Sequence, residues 1–248
     1  DGIRDIGVTG VQTCALPISE GFAFRVDTRL RPNGDSGPLV ASFNMLEQYF
    51  YSQGREWERF AWLKSHVIAD TATAGPQVAS EDIAALERVV TPFVFRRYMD
   101  YEAFEALRDL HAKIRTEVSR RTARDRDALD VKLGRGGIRE IEFTAQLFQI
   151  VRGGRDPALR DRRTLVTLEA LVKRTVLSAQ EGQALDQAYR LLRRTEHALQ
   201  YREDAQTHRL PGEPAEREIV AAMLGMSAES FNHAIAQATD TVASIFER

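Results

Sequence analysis

Apolar side chains recur at helical spacing over most of the chain beyond residue 80, and this periodicity constrains the fold more than any other feature. One series alternates steps of three and four residues, as in the buried seam of a bundle helix: Leu185, Ala188, Leu192, Thr195 and Leu199. A second series with helical spacing lies near the C terminus: Phe231, Ile235, Ala238, Val242 and Ile245. About six helices joined by short polar turns are expected, so residues 80–248 are predicted to form an all-α bundle.

The segment before residue 70 has a different pattern. Side chains from Phe22 to Leu30 alternate with a period of two, which predicts a β-strand that ends in a turn at Asn33-Gly34. Ser42 is placed to cap a helix that runs through Gln53, and a second helix is predicted from Glu56 to Val67. Residues 71–79 are interpreted as a linker rich in small residues.

The first eighteen residues have neither a helical nor a strand period. The run from Val8 to Ile18 resembles a conceptual translation of a sequencing-library adapter, and it contains Cys14, the only cysteine of the chain. A signal peptide is the competing interpretation, but the apolar run is short and no basic region precedes it. We therefore interpret residues 1–18 as non-native sequence, and we expect the native protein to begin well upstream.

Composition excludes several classes of protein. The formal net charge of −2 over 248 residues argues against a dedicated nucleic-acid-binding protein. No apolar run approaches the roughly 20 residues that a membrane span needs, so no membrane partner is expected. Without Cys14 the chain has no cysteine for a disulfide or a thiolate metal site, which fits a cytoplasmic protein.

One face of the predicted strand carries the first candidate site. Asp27 lies there among Arg25, Arg29 and Arg31. A carboxylate can hold Mg²⁺, and guanidinium groups can neutralise phosphate oxygens through two-pronged hydrogen bonds. The alternative is an exposed face with ordinary Arg–Asp pairs, which contribute little to stability.

A second candidate site is the glycine-rich stretch from Val131 to Phe143. Its glycines could expose backbone N–H groups to an anion, or they could simply permit a tight start to the helix that follows. The predicted helix is largely apolar, with one polar stripe: Arg139, Glu142, Gln146 and Gln149. Such a stripe either lines a cleft or finds its partners inside the protein. The candidate cleft-lining residues are Lys132, Arg139, Glu140 and Glu142.

Several motifs together resemble the family of the bifunctional glutamine synthetase adenylyltransferase/adenylyl-removing enzymes. The resemblance covers nearly everything from Glu20 to the C terminus. The motifs occur in the expected order: Phe24–Pro32, Gly54–Arg59, Phe93–Arg97, Lys132–Phe143, Arg152–Arg155 and Gln206–Pro211.

The resemblance implies an α+β fold. Residues 19–70 would be the C-terminal part of a nucleotidyltransferase-like palm, with a mixed sheet and helices, followed by the helical bundle. Asp27 matches the third carboxylate of a two-metal site in this family, and the other two would lie upstream. Gly54–Arg59 and Gly137–Glu142 look more like the N-terminal half, in which Glu140 stands where the other half tends to have Asp.

The chemistry implied by that half is phosphorolysis. Inorganic phosphate would cleave the adenylyl–tyrosine bond on glutamine synthetase and give ADP, with PII signal protein as a further partner and Mg²⁺ as cofactor. The truncated chain itself is expected to be inactive. Three alternatives stay open: the half that adenylylates the tyrosine from ATP, a PII uridylyltransferase-like enzyme, and a non-catalytic docking module.

Overall fold

The computed structural model describes residues 28–67, 80–96, 129–203 and 207–248, together with single residues and short runs between 105 and 120. The chain divides into two compact units, residues 1–53 and residues 54–248. The division falls after Gln53; the predicted linker at 71–79 lies outside the described residues and stays a prediction.

The described part of the first unit consists of a turn and one helix. Asn33 and Gly34 have φ angles of 63° and 54°, and a short 3-10 turn follows at Gly34–Ser36. Helix α1 spans Phe43–Ser52, and the Ser42 hydroxyl accepts a hydrogen bond from the backbone N–H of Met45 at 3.2 Å. Both the turn and the Ser42 cap are confirmed as the sequence predicts.

The second unit is built from helices. Their bounds are α2 Glu56–Lys64, α3 Ser80–Val94, α4 Ile138–Arg152, α5 Thr164–Lys173, α6 Ala179–Glu203, α7 Pro214–Met223 and α8 Ala228–Phe246. Helices α4, α6 and α8 pack against one another; α5 lies on α4 and α6, and α7 lies on α6 and α8. Helix α2 packs on α3 and on α4. Among the helices described, none combines the length and apolar character that a bilayer crossing demands.

The periodic apolar residues form the core, as the sequence predicts. All five residues of the α6 seam are buried: Leu185, Ala188, Leu192, Thr195 and Leu199. Phe231, Ile235 and Val242 of α8 pack into the same cluster. The predicted helical bundle is therefore confirmed, because one buried stripe per helix is what a bundle of amphipathic helices requires.

The predicted mixed sheet is wrong. Across the described ranges the structure contains helices and turns but no β-strand, and the only strand-like pairing there is an isolated antiparallel bridge between Asp130 and Arg209. Of the predicted strand, residues 22–27 lie outside the described residues, and Thr28, Arg29 and Leu30 are exposed and not in a strand. The fold class of the described chain is all-helical, not α+β. Alternation of side chains does not by itself provide the neighbouring strand whose hydrogen bonds a sheet requires.

Candidate functional site

The glycine-rich turn before α4 satisfies its own backbone donors. The N–H of Gly137 donates to the carbonyl of Gly134 at 3.0 Å, and the N–H of Ile138 donates to the carbonyl of Val131 at 3.0 Å. The N–H of Arg139 donates to the carbonyl of Lys132 at 3.1 Å. These donors are the ones that an anion at a helix N terminus would use. The structure therefore favours the tight helix start over the anion site.

Gly136 explains why this turn needs glycine. Its φ angle is 71°, and a Cβ atom placed on it would lie 1.9 Å from the carbonyl oxygen of Thr239 in α8. Neither the left-handed backbone nor this close helix contact leaves room for a side chain. The turn therefore brings the start of α4 directly against the backbone of α8.

The four predicted cleft-lining residues have different surroundings. Glu140 is buried, and its Oε2 accepts a hydrogen bond from the backbone N–H of Gly136 at 2.9 Å, so its carboxylate supports the turn. Arg139 is exposed. Lys132 and Glu142 contact side chains of α6, as described next.

Glu196 of α6 forms ion pairs with both Lys132 and Arg193. Its buried carboxylate lies 3.1 Å from Lys132 Nζ and 2.7 Å from Arg193 Nη1. The side chains of Lys132 and Arg193 are 41% and 36% exposed, so both cations also face solvent. One buried carboxylate therefore balances two half-exposed cations.

A chain of hydroxyl groups connects Glu142 to Lys64. The Tyr189 hydroxyl donates to Glu142 Oε1 at 3.0 Å and is also hydrogen-bonded to the Thr164 side chain. Lys64 Nζ donates to Thr164 Oγ1 at 3.0 Å and to the carbonyl of Arg162 at 2.8 Å. Helix α2 is positioned for this contact because the ring of Phe60 stacks on Phe143 of α4, with 5.1 Å between centroids.

Burial shifts the pKa of two of these groups. It lowers the pKa of the Lys64 ammonium, which Arg193 lowers further while Glu142 and Asp161 raise it. Burial raises the pKa of the Tyr189 hydroxyl, and the Glu142 carboxylate adds to the rise. Lys64, Glu142, Tyr189 and Arg193 therefore act on one another electrostatically, and we call these four residues with Thr164 the Lys64–Arg193 cluster.

The other end of the polar stripe on α4 is internal. Gln149 is 1% exposed, and its Nε2 donates to the carbonyls of Leu159 at 2.7 Å and Asp161 at 2.6 Å. The polar stripe on α4 is therefore divided. Gln149 finds its partners inside the protein, whereas Glu142 belongs to a half-buried polar cluster.

The predicted phosphate and metal residues of the first unit are only partly described. Arg25 and Asp27 lie outside the described residues, and Arg29 is exposed. Arg31 Nε donates to the carbonyl of Gly37 at 3.1 Å, and its guanidinium also donates to the carbonyls of Thr28 and Asp35, so it braces its own turn. Within the described ranges, no group of three or more histidine, cysteine, aspartate or glutamate side chains could hold a metal ion.

Two family models match the chain. Residues 108–248 match the family described as GlnD PII-uridylyltransferase, and residues 11–81 match glutamate-ammonia ligase adenylyltransferase, GlnE. The second match begins inside the segment 1–18, whose non-native origin stays a prediction.

Curated relatives align with most of the chain. A protein of Ralstonia nicotianae is 52% identical over 220 residues, which are 84% of this chain and 23% of that protein. A protein of Burkholderia mallei is 50% identical over 227 residues, or 91% of this chain and 24% of that protein. Both are named bifunctional glutamine synthetase adenylyltransferase/adenylyl-removing enzyme.

The chain belongs to the GlnE family. The resemblance inferred from the sequence motifs is confirmed. The chain spans about a quarter of the length of these curated relatives, as their 23% and 24% coverage shows, so it is a fragment relative to them.

The sequence did not point to most of the Lys64–Arg193 cluster. A usable signal was present on α6, since Tyr189, Arg193 and Glu196 follow one another at helical spacing beside an apolar seam. Nothing in the sequence placed Lys64 near Thr164, because the two residues are 100 positions apart.

Proposed function

We propose that this chain is part of an enzyme that controls glutamine synthetase by reversible adenylylation of a tyrosine. The observation that carries the proposal is the 52% identity over 84% of the chain to a protein named for that activity. Since the chain covers only 23% of that relative, the activity is proposed for the full-length protein that carries this segment. PII signal protein, ATP and ADP are proposed as its further partners, acting in the cytoplasm.

The proposal assigns the chain to the half that removes the adenylyl group. The motif from Gly137 to Glu142 supports this assignment, because Glu140 stands where the adenylylating half tends to have Asp. The structure gives the position a physical meaning: the Glu140 carboxylate holds the backbone N–H of Gly136 at 2.9 Å. An aspartate is one methylene shorter, so the turn would have to change to keep this hydrogen bond.

The proposed reaction is a phosphorolysis. An oxygen of inorganic phosphate attacks the phosphorus of the adenylyl group, and the bond from phosphorus to the tyrosine oxygen breaks. The products are ADP and the tyrosine, whose oxygen takes up a proton. Asp27 is proposed to hold Mg²⁺, which supplies charge neutralisation for the attacking and departing oxygens. Arg25 and Arg29 are proposed to bind phosphate oxygens, with Arg31 holding the adjacent turn.

A second candidate function is uridylylation of PII. It is favoured by the match of residues 108–248 to the family described as GlnD PII-uridylyltransferase. The assays described below distinguish uridylylation from deadenylylation, because the two reactions use different nucleotides and different target proteins.

The test compares Asp27→Asn with Asp35→Asn in the full-length protein. Asp35 is an exposed aspartate in the same unit, so its replacement is a matched control. Three rates are measured for each folded variant at saturating Mg²⁺: phosphate-dependent ADP release from adenylylated glutamine synthetase, ATP-dependent adenylylation, and transfer of UMP to PII. The isolated 248-residue chain is assayed alongside and is expected to show no turnover.

We expect Asp27→Asn to lower ADP release by at least about 100-fold, since one ligand of a two-metal site is lost. Adenylylation should continue, and Asp35→Asn should retain both activities. Loss of adenylylation alone would assign the chain to the other half. Wild-type rates in Asp27→Asn would refute the role of Asp27, and UMP transfer to PII by the unmodified protein would favour the second candidate.

A further inference from the structure

We propose that the Lys64–Arg193 cluster binds a phosphate group, either of free phosphate or of a nucleotide. The site lies within the helical unit and uses none of the predicted strand residues, so it goes beyond the proposed function. Its failure would leave that function untouched, because the test measures binding by this chain and no catalysis.

The first argument is the balance of charge. Lys132 and Arg193 share the single carboxylate of Glu196, which leaves one positive charge in excess. Glu142 attracts Lys64 electrostatically, but its hydrogen bond runs to the Tyr189 hydroxyl and not to Lys64 Nζ. Asp161 also acts on Lys64, but it is paired with Arg163 at 2.6 Å. With Lys132 and this pair included, the region holds four cations against three carboxylates, in surroundings that are partly shielded from water. Such an excess attracts an anion more strongly than the same charges would on an open surface.

The second argument is that hydrogen-bond donors remain available. Lys64 Nζ has three N–H groups, and within the described chain it uses two of them, on the carbonyl of Arg162 and the hydroxyl of Thr164. Arg193 has five N–H groups, and its hydrogen bond in the described chain runs from Nη1 to Glu196. The two cations thus retain donors that an oxyanion can accept from.

The third argument is the direction of the local field. Lys64 Nζ contacts Thr164, the first residue of the ten-residue helix α5, so it lies at the positive end of that helix. Arg193 lies one helical turn beyond Tyr189 on α6, on the side of the cluster, and its charge lowers the pKa of Lys64, as expected for two cations that repel each other. A bound dianion would remove this repulsion, and the combination of a lysine point charge with a planar guanidinium suits phosphate.

The experiment is calorimetric titration of the 248-residue chain with inorganic phosphate and, separately, with ADP, at constant ionic strength. The test variants are Lys64→Gln and Arg193→Gln. Each has a control that removes the same charge from an exposed ion pair on a helix: Lys173→Gln, whose partner is Glu169, and Arg190→Gln, whose partner is Asp186. Thermal unfolding of every variant checks that it is folded, and Lys64→Arg tests whether charge alone suffices.

We expect both test variants to weaken phosphate binding by at least about tenfold, since each removes a charge-assisted hydrogen bond. The two controls and Lys64→Arg should bind within about twofold of the unmodified chain. Binding of phosphate and ADP alike identifies a site for the phosphate group, and saturable binding of ADP alone identifies a nucleotide site. Absence of saturable binding of either ligand, or equal binding by the test and control variants, would overturn the proposal. If one test variant does not fold, the phosphate affinity of the other test variant decides whether the cluster is the binding site.

Discussion

Replacement of Gly136 by alanine should destabilise the helical unit through two separable effects. The backbone has a φ of 71°, and an L-residue in this conformation costs about 1 kcal/mol. The new Cβ would also meet three backbone atoms of Thr239, at 1.9, 2.5 and 2.6 Å, so α8 or the turn must move. Overpacking of this kind costs about 1–3 kcal/mol, which gives a total of about 2–4 kcal/mol.

Gly225→Ala is a matched control for the backbone effect. Gly225 has the same φ of 71°, but a Cβ placed on it meets nothing within 4 Å. Its replacement should cost only about 1 kcal/mol, so the difference between the two variants isolates the contact with α8. At about 2–4 °C per kcal/mol for a unit of this size, Gly136→Ala should lower the thermal midpoint by about 4–16 °C and Gly225→Ala by about 2–4 °C.

The assay is urea and thermal unfolding of the 248-residue chain, followed by the helical circular dichroism signal. Equal loss of stability in the two variants would show that α8 does not approach Gly136 as closely as the structure has it.

Three further predictions concern stability and titration. Gln149→Leu should cost about 2–4 kcal/mol in urea unfolding, because one buried and one half-buried carbonyl lose their donor. Replacement of the half-buried Gln146 by Leu should cost less than about 1 kcal/mol. The hydrogen bond from Arg163 holds the pKa of Asp161 at about 2, below its usual 3.8, so the stability from this pair is complete above about pH 4 and is lost as the pH falls towards 2. Carboxyl NMR should therefore show the pKa of Asp161 rising towards 3.8 in Arg163→Gln, with little change in the urea midpoint at neutral pH, because solvent screens this exposed pair. Deletion of residues 1–18 should leave the thermal midpoint unchanged, and a clear drop would show that they belong to the fold.

Local interactions made part of the structure predictable from the sequence. The α6 seam from Leu185 to Leu199 is buried because residues three and four apart share one face of a helix, whatever that helix packs against. Ser42 caps α1 because its hydroxyl needs only the N–H of a residue three positions later. Such signals require no knowledge of the rest of the fold, and the family motifs were likewise readable along the chain.

Contacts between distant segments were decided only by the tertiary structure. The alternation before Leu30 predicted a strand, but a strand depends on hydrogen bonds to a neighbour that the alternation cannot specify. Lys64 reaches Thr164 across 100 positions only because Phe60 packs α2 onto α4. Gly136 is needed because α8 passes against it, and its position in the sequence does not reveal that contact. Periodicity along one helix determines which face is buried, whereas the docking of several helices determines which polar side chains meet.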